Sequence, residues 1–128
     1  MKADLLHTMI RVKDLDRSVA FYTEVLGLTE RRRKVLEGAD ATLVFLADED
    51  GHHPIELTYN HDGRDYELGD QFGHLAFGVP DLEEARSQLA RHGVEFTRGP
   101  YRVGEGGSTI AFIEDPDGIE IELIETGS

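Results

Sequence analysis

The chain contains no cysteine. Disulfides, thiolate metal sites and cysteine nucleophiles are therefore excluded, and any metal must be held by imidazole and carboxylate. It also contains no apolar run of roughly 18 residues, the length a membrane-spanning helix needs, so no span is expected. The start, Met1-Lys2-Ala3-Asp4, lacks the apolar stretch of a signal peptide, and a cytoplasmic setting is expected. Positive charge is scarce: 13 basic residues face 26 acidic ones, for a net charge of -13. Phosphates and anionic lipid headgroups would be repelled, so neither nucleic acid nor a membrane is an expected partner. Lysine is scarcer still, limited to Lys2, Lys13 and Lys34. An acid-rich, lysine-poor surface is common in salt-adapted proteins, and ordinary solubility charge gives the same pattern.

The 128 residues suit one domain with a modest core, and the 39% apolar content is that of a globular chain. The chain is written twice. His7 corresponds to His74, Asp14-Leu15 to Asp81-Leu82, Gly27 to Gly93, residues 41–46 to 108–113, and Ile55-Glu56-Leu57 to Ile121-Glu122-Leu123. All five matches fall in order at an offset of 66 or 67, which indicates a duplicated module of roughly 60 residues. Module one is expected at about 5–60, a polar linker loop at 61–72 and module two at 73–125, together forming a single domain.

Each module reads as strand, helix and three strands. The first strand is expected at about Leu5 to Val12. A helix follows from Leu15 to Leu26, with Leu15, Val19, Tyr22 and Leu26 at helical spacing, Asp14 as N-cap and Gly27 past its end. In module two Asp81 caps a helix carrying Leu82, Ala85 and Leu89, and Gly93 ends it. Strands are expected near 28–36, 41–47 and 55–60, then near 94–101, 108–113 and 119–124. Asp50-Gly51 and Asp117-Gly118 mark turns between strands.

Alternate strand residues share a face. Glu56 therefore lies with Pro54, Thr58 and Asn60, opposite the apolar Ile55, Leu57 and Tyr59. A lone strand histidine or glutamate is ordinarily a solvated residue. Here the repeat supplies the same residue types at the same place twice, His7 with His74 and Glu56 with Glu122. Two nitrogen and two oxygen donors suit nickel, cobalt, manganese, iron or zinc. An octahedral ion would keep two open positions, as a catalytic site requires. His52 and His53 fall in a predicted turn, His61 in the linker and His92 at a helix end, where a cation suits the dipole.

The strings LLHTMIRVKDLDRSVAFYTEVLGL, IELTYN, YELG followed by FGHLAFGV, and IAFIEDPDGIEIELIE resemble glyoxalase I of the short bacterial type. This family is also called lactoylglutathione lyase and belongs to the vicinal oxygen chelate superfamily. The resemblance spans about residues 5 to 125. It implies an α+β fold in which two paired βαβββ modules form a curved mixed sheet around a metal site. It implies that His7, Glu56, His74 and Glu122 are the metal ligands. It also implies a homodimer with sites at the subunit interface, His7 and Glu56 coming from one subunit and His74 and Glu122 from the other. Nickel or cobalt is favoured, with zinc second.

The implied substrate is the hemithioacetal of methylglyoxal and a small thiol, converted to the S-lactoyl thioester. The implied base is Glu122, with Glu56 available on the other face. Arg11 and Asn60 match positions that hold the glutamyl end of glutathione. A lysine common in the family's glycine-rich loop is missing here. The chain reads RVGEGGST, with Glu105 where a cation would serve a glycyl carboxylate and Arg102 as a possible stand-in. γ-Glutamylcysteine thus joins glutathione as a candidate thiol. Other readings are an acyl-CoA epimerase, an extradiol dioxygenase, or a drug-sequestering protein without metal ligands.

Overall fold

The computed structural model describes residues 1–127. They divide into two compact units, Met1–Glu67 and a second from Leu68 onward, with the boundary inside the expected linker. Unit one contains β1 (Thr8–Arg11), α1 (Leu15–Ala20), β2 (Thr29–Leu36), β3 (Ala41–Ala47) and β4 (Ile55–Asn60). Unit two contains β5 (His74–Val79), α2 (Leu82–Ala90), β6 (Arg98–Arg102), β7 (Thr109–Glu114) and β8 (Glu120–Glu125). Each unit is a four-stranded mixed sheet, ordered β1-β4-β3-β2 in the first and β5-β8-β7-β6 in the second. The outer pairs β1/β4 and β5/β8 are parallel and the remaining pairs antiparallel. Among the described residues no helix is long and apolar enough to cross a membrane.

Local chemistry explains where the helices start. Asp14 and Asp81 have extended backbone and their carboxylates accept the N–H of Arg17 at 3.1 Å and of Glu84 at 2.9 Å. Each satisfies an otherwise orphaned donor of the first turn, and replacement by alanine typically costs about 1 kcal/mol. The first helix departs from the expected regular run to Leu26. After Ala20 it widens into a π-helical turn, Phe21–Val25, in which Leu26 N–H reaches the Phe21 carbonyl at 3.2 Å. Along this helix Ser18, Phe21 and Tyr22 are buried, while Leu15, Val19 and Leu26 are only half-buried. In α2, with no such turn, the expected Leu82 and Leu89 are the buried residues.

The first strand begins at Thr8, later than expected; Leu5 and Leu6 lie outside it and are exposed. The 94–101 strand likewise begins only at Arg98. The linker forms turns, with no helical turn among the described residues. In it, a hydrogen bond from the Arg64 guanidinium holds the Asp62 carboxyl below the usual carboxylate range. In the turn before β8, the buried Asp115 carboxylate accepts the N–H groups of Asp117 and Ile119, both at 2.9 Å.

β6 carries a register shift between Arg98 and Tyr101, and Gly99 has φ +86. A Cβ on Gly99 would stand 2.8 Å from the Ile110 carbonyl oxygen and 3.0 Å from Ala111 Cα. Both neighbours are backbone and have little room to retreat. Gly99→Ala is expected to lower unfolding free energy by about 1–3 kcal/mol or more, measured by denaturant titration. An unchanged midpoint would show that the approach is not tight.

Candidate metal centre

Strand register, not proximity in sequence, joins each histidine to its glutamate. In the parallel β1/β4 pair Met9 stands opposite Glu56, and in β5/β8 Ala76 stands opposite Glu122. Each histidine lies two residues before that partner, on the same face. His7 precedes the assigned start of β1, but the Thr8 N–H bonds the Pro54 carbonyl at 3.2 Å and extends the ladder to its level. The results are His7 Nε2 to Glu56 Oε1 at 3.2 Å and His74 Nε2 to Glu122 Oε1 at 3.0 Å. The same step is built twice.

These distances fit a shared cation. Nitrogen and oxygen donors each about 2.0–2.2 Å from one ion, at a right angle, lie roughly 3 Å apart. The imidazoles are part-exposed, at 38% and 41%, while the carboxylates are mostly covered, at 11% and 16%. A solvated outward glutamate is therefore not what stands at either position. Among the described residues each unit gathers two such donors.

The two carboxylates differ in one respect. Thr58, buried beside Glu56, donates its hydroxyl to Glu56 Oε2 at 2.6 Å. Glu56 thus has one oxygen toward His7 and the other committed to a neighbour. The residue two beyond Glu122 is Ile124, which has no hydroxyl to offer.

Across each sheet the row continues. Phe45 stands opposite Glu56 on β3, and Arg32 stands opposite Phe45 on β2. Phe112 and Arg98 repeat this beside Glu122. The His7 ring meets the Phe45 ring edge-on at 5.5 Å, and His74 meets Phe112 likewise at 5.8 Å. The Arg32 and Arg98 guanidinium carbons lie 4.6 and 3.8 Å from the two phenyl centroids. Sequence reasoning missed Thr58 and these four residues. Phe45 and Phe112 sit inside the aligned segments, so the repeat itself carried a signal for them.

Arg11 ends β1 and Asn60 ends β4, each four residues beyond a ligand and on that ligand's face. Asn60 Nδ2 donates to the Tyr66 hydroxyl at 2.7 Å, a partner supplied by the linker. In unit two the corresponding positions hold Gly78 and Thr126. There Thr126 Cγ2 lies 2.9 Å from where a Gly78 Cβ would be. Arg102 ends β6, exposed and paired with Thr109, ahead of the loop that contains Glu105. His52, His53 and His92 are exposed. His61 is held by the Thr42 hydroxyl at 2.8 Å and the Asp40 carboxylate at 3.0 Å.

The chain resembles known proteins over nearly all of its length. The family model described as the Glyoxalase/Bleomycin resistance protein/Dioxygenase superfamily matches residues 4–123. A probable lactoylglutathione lyase of Synechocystis is 44% identical over 97% of this chain and 96% of its own length. The lactoylglutathione lyase of Haemophilus influenzae is 45% identical over 97% and 93%. Among solved structures, the trypanothione-dependent glyoxalase I of Leishmania major superposes with a TM-score of 0.81 at 40% identity, covering 97% of this chain and 87% of that one. Glyoxalase I of Zea mays gives a TM-score of 0.86 at 36% identity, and there the chain spans only 45% of the maize protein's length. With a family model matched over nearly its whole length and relatives this similar, the chain belongs to the Glyoxalase/Bleomycin resistance protein/Dioxygenase superfamily, in its lactoylglutathione lyase branch.

Proposed function

We propose that this chain is a metal-dependent glyoxalase I that isomerises the hemithioacetal of methylglyoxal and a small thiol to the S-lactoyl thioester. The observation that carries the reading is the His–Glu step repeated in both units at 3.2 and 3.0 Å. The ligand set is His7, Glu56, His74 and Glu122. His7 and Glu56 of one subunit join His74 and Glu122 of the other in a homodimer. Support for a second copy comes from Leu5, Leu6 and Met9, which leave apolar surface open beside His7. Nickel or cobalt is the first choice and zinc the second. A cytoplasmic setting belongs to the same reading.

A divalent cation held by these donors supplies Lewis acidity toward the adjoining substrate oxygens, worth several kcal/mol. The chain's own residues do the rest. Glu122 takes the proton from the carbon that bears sulfur and returns it to the neighbouring carbon. Such general base catalysis contributes roughly two to four powers of ten. Glu56, with its second oxygen occupied by Thr58, is the steadier ligand of the two. Arg11 and Asn60 grip the glutamyl end of the thiol, and Arg102 lies at the edge of the loop facing the other end. The negative Glu105 in that loop disfavours a glycyl carboxylate and makes γ-glutamylcysteine a candidate beside glutathione. The thiol already varies among relatives, as the trypanothione-dependent Leishmania enzyme illustrates.

The deciding experiment loads the metal-stripped protein with nickel, cobalt or zinc. It then offers methylglyoxal with glutathione or γ-glutamylcysteine and follows thioester absorbance. Thioester formation dependent on metal is expected. Its absence with every metal and both thiols would overturn the reading. A related prediction concerns Tyr66. Tyr66→Phe frees the Asn60 amide and is expected to raise KM about three- to tenfold with kcat unchanged, the effect of losing one neutral hydrogen bond. A fall in kcat instead would remove Asn60 from the thiol site.

A further inference from the structure

A histidine that binds metal is ordinarily oriented through its second ring nitrogen, which donates to a carboxylate or carbonyl. Neither His7 nor His74 has such a bond among the described residues. The contacts of each are the Nε2 approach to a glutamate and one edge-on aromatic ring. Both side chains are part-exposed, and the terminal torsion of an imidazole is broad unless something restricts it. Among the described residues the ring contact of each is a phenyl, Phe45 in one unit and Phe112 in the other, at interplanar angles of 80° and 81°. Each phenyl is in turn covered by a guanidinium.

We infer that Phe45 and Phe112 are positioning residues that set the ring orientation of His7 and His74, with Arg32 and Arg98 holding the phenyl rings in place. The inference rests on the metal-binding reading above. An edge-on aromatic contact stabilises a ring pair beyond the area it buries, and a cation over the outer face adds to that. That is enough to favour one ring orientation where no hydrogen bond does so. The same four-residue row stands in both copies of the duplicated module, at offsets of 66 and 67.

The two rows are not equally firm. Phe112 is buried and its arginine sits closer, at 3.8 Å against 4.6 Å. Arg98 is also anchored by Glu120 at 2.9 Å, whereas the position equivalent to Glu120 in unit one is Pro54. His74 is therefore the more rigidly held imidazole.

The test is cobalt binding to the metal-stripped full chain, read by competition with a chromogenic chelator and by visible absorption of the bound ion. Phe45→Leu and Phe112→Leu keep apolar volume and remove the ring. Each is expected to weaken cobalt affinity about 10- to 100-fold and alter the absorption bands, Phe112→Leu more than Phe45→Leu. Phe45→Tyr keeps the ring and restores both readouts. Thermal unfolding of the metal-free proteins separates these effects from loss of fold, and if Phe112→Leu does not fold, the half-buried Phe45 decides. Wild-type binding with unchanged affinity and spectrum in Phe45→Leu would overturn this inference alone. Failure of the wild-type chain to bind cobalt would overturn the metal reading and this inference with it.

Discussion

Glu122→Gln is expected to lower kcat by two to four powers of ten while leaving the fold and most of the metal affinity intact. Glutamine retains an oxygen donor for the cation but has no basic oxygen to receive a carbon-bound proton. Glu56→Gln is expected to lose much less. The difference follows from Thr58, whose hydroxyl occupies Glu56 Oε2 at 2.6 Å and holds that carboxylate still. Two residues beyond Glu122 stands Ile124, which offers no such tether, so on the proposed reading Glu122 is the carboxylate expected to reach two adjacent carbons. The check is steady-state kinetics on both nickel-loaded variants, with metal content measured alongside. Equal losses would mean that the two carboxylates share the proton transfer, and a larger loss at Glu56 would reverse the assignment. Thr58→Val, nearly isosteric, should narrow the gap between the two glutamates.

The second large effect concerns where the four ligands meet. His7→Ala and His74→Ala are each expected to be nearly inactive as pure proteins. Mixed and allowed to exchange subunits, they should regain about one quarter of wild-type activity. In a twofold dimer with sites built from both chains, half of the dimers are hybrids, and each hybrid has one intact site and one doubly damaged site. A site built within one chain gives no recovery at any mixing ratio. Size-exclusion chromatography of each variant, run beside the activity assay, ensures that exchange has a dimer to act on. No recovery with proven exchange would sink the shared-site reading.

Much of this was legible in the sequence because duplication turns weak signals into paired ones. His7 alone is an unremarkable strand-edge residue, and only its match to His74 at an offset of 67 singles it out. The helix caps were legible too, since Asp14 and Asp81 act through their immediate neighbours. The arginines were not. Arg32 is the middle of the run Arg31-Arg32-Arg33, and which of the three faces Phe45 depends on a register shift between Glu30 and Arg32. A one-residue slip moves a side chain to the other face, and a bulge is such a slip confined to one place. The π-helical turn at Phe21–Val25 was equally hidden, because apolar spacing predicts a regular helix and cannot register one inserted residue. Thr58 escaped notice for another reason. It was read only as a polar neighbour on the Glu56 face, and alternation along a strand does not show that the sheet buries it.

The crowding at Gly78 has a consequence for evolution and for stereochemistry. With a Thr126 methyl 2.9 Å from where a Cβ would stand, any side chain at position 78, an arginine to match Arg11 included, requires Thr126 to shift. The histidine–glutamate step stands in both units, whereas the Arg11 and Asn60 proposed to hold the thiol have Gly78 and Thr126 as their counterparts. A substrate gripped by that single handle can lie in one direction only. On the proposed reading its two faces are expected to meet different carboxylates, so that a nearly symmetric scaffold would treat the two hands of the hemithioacetal differently.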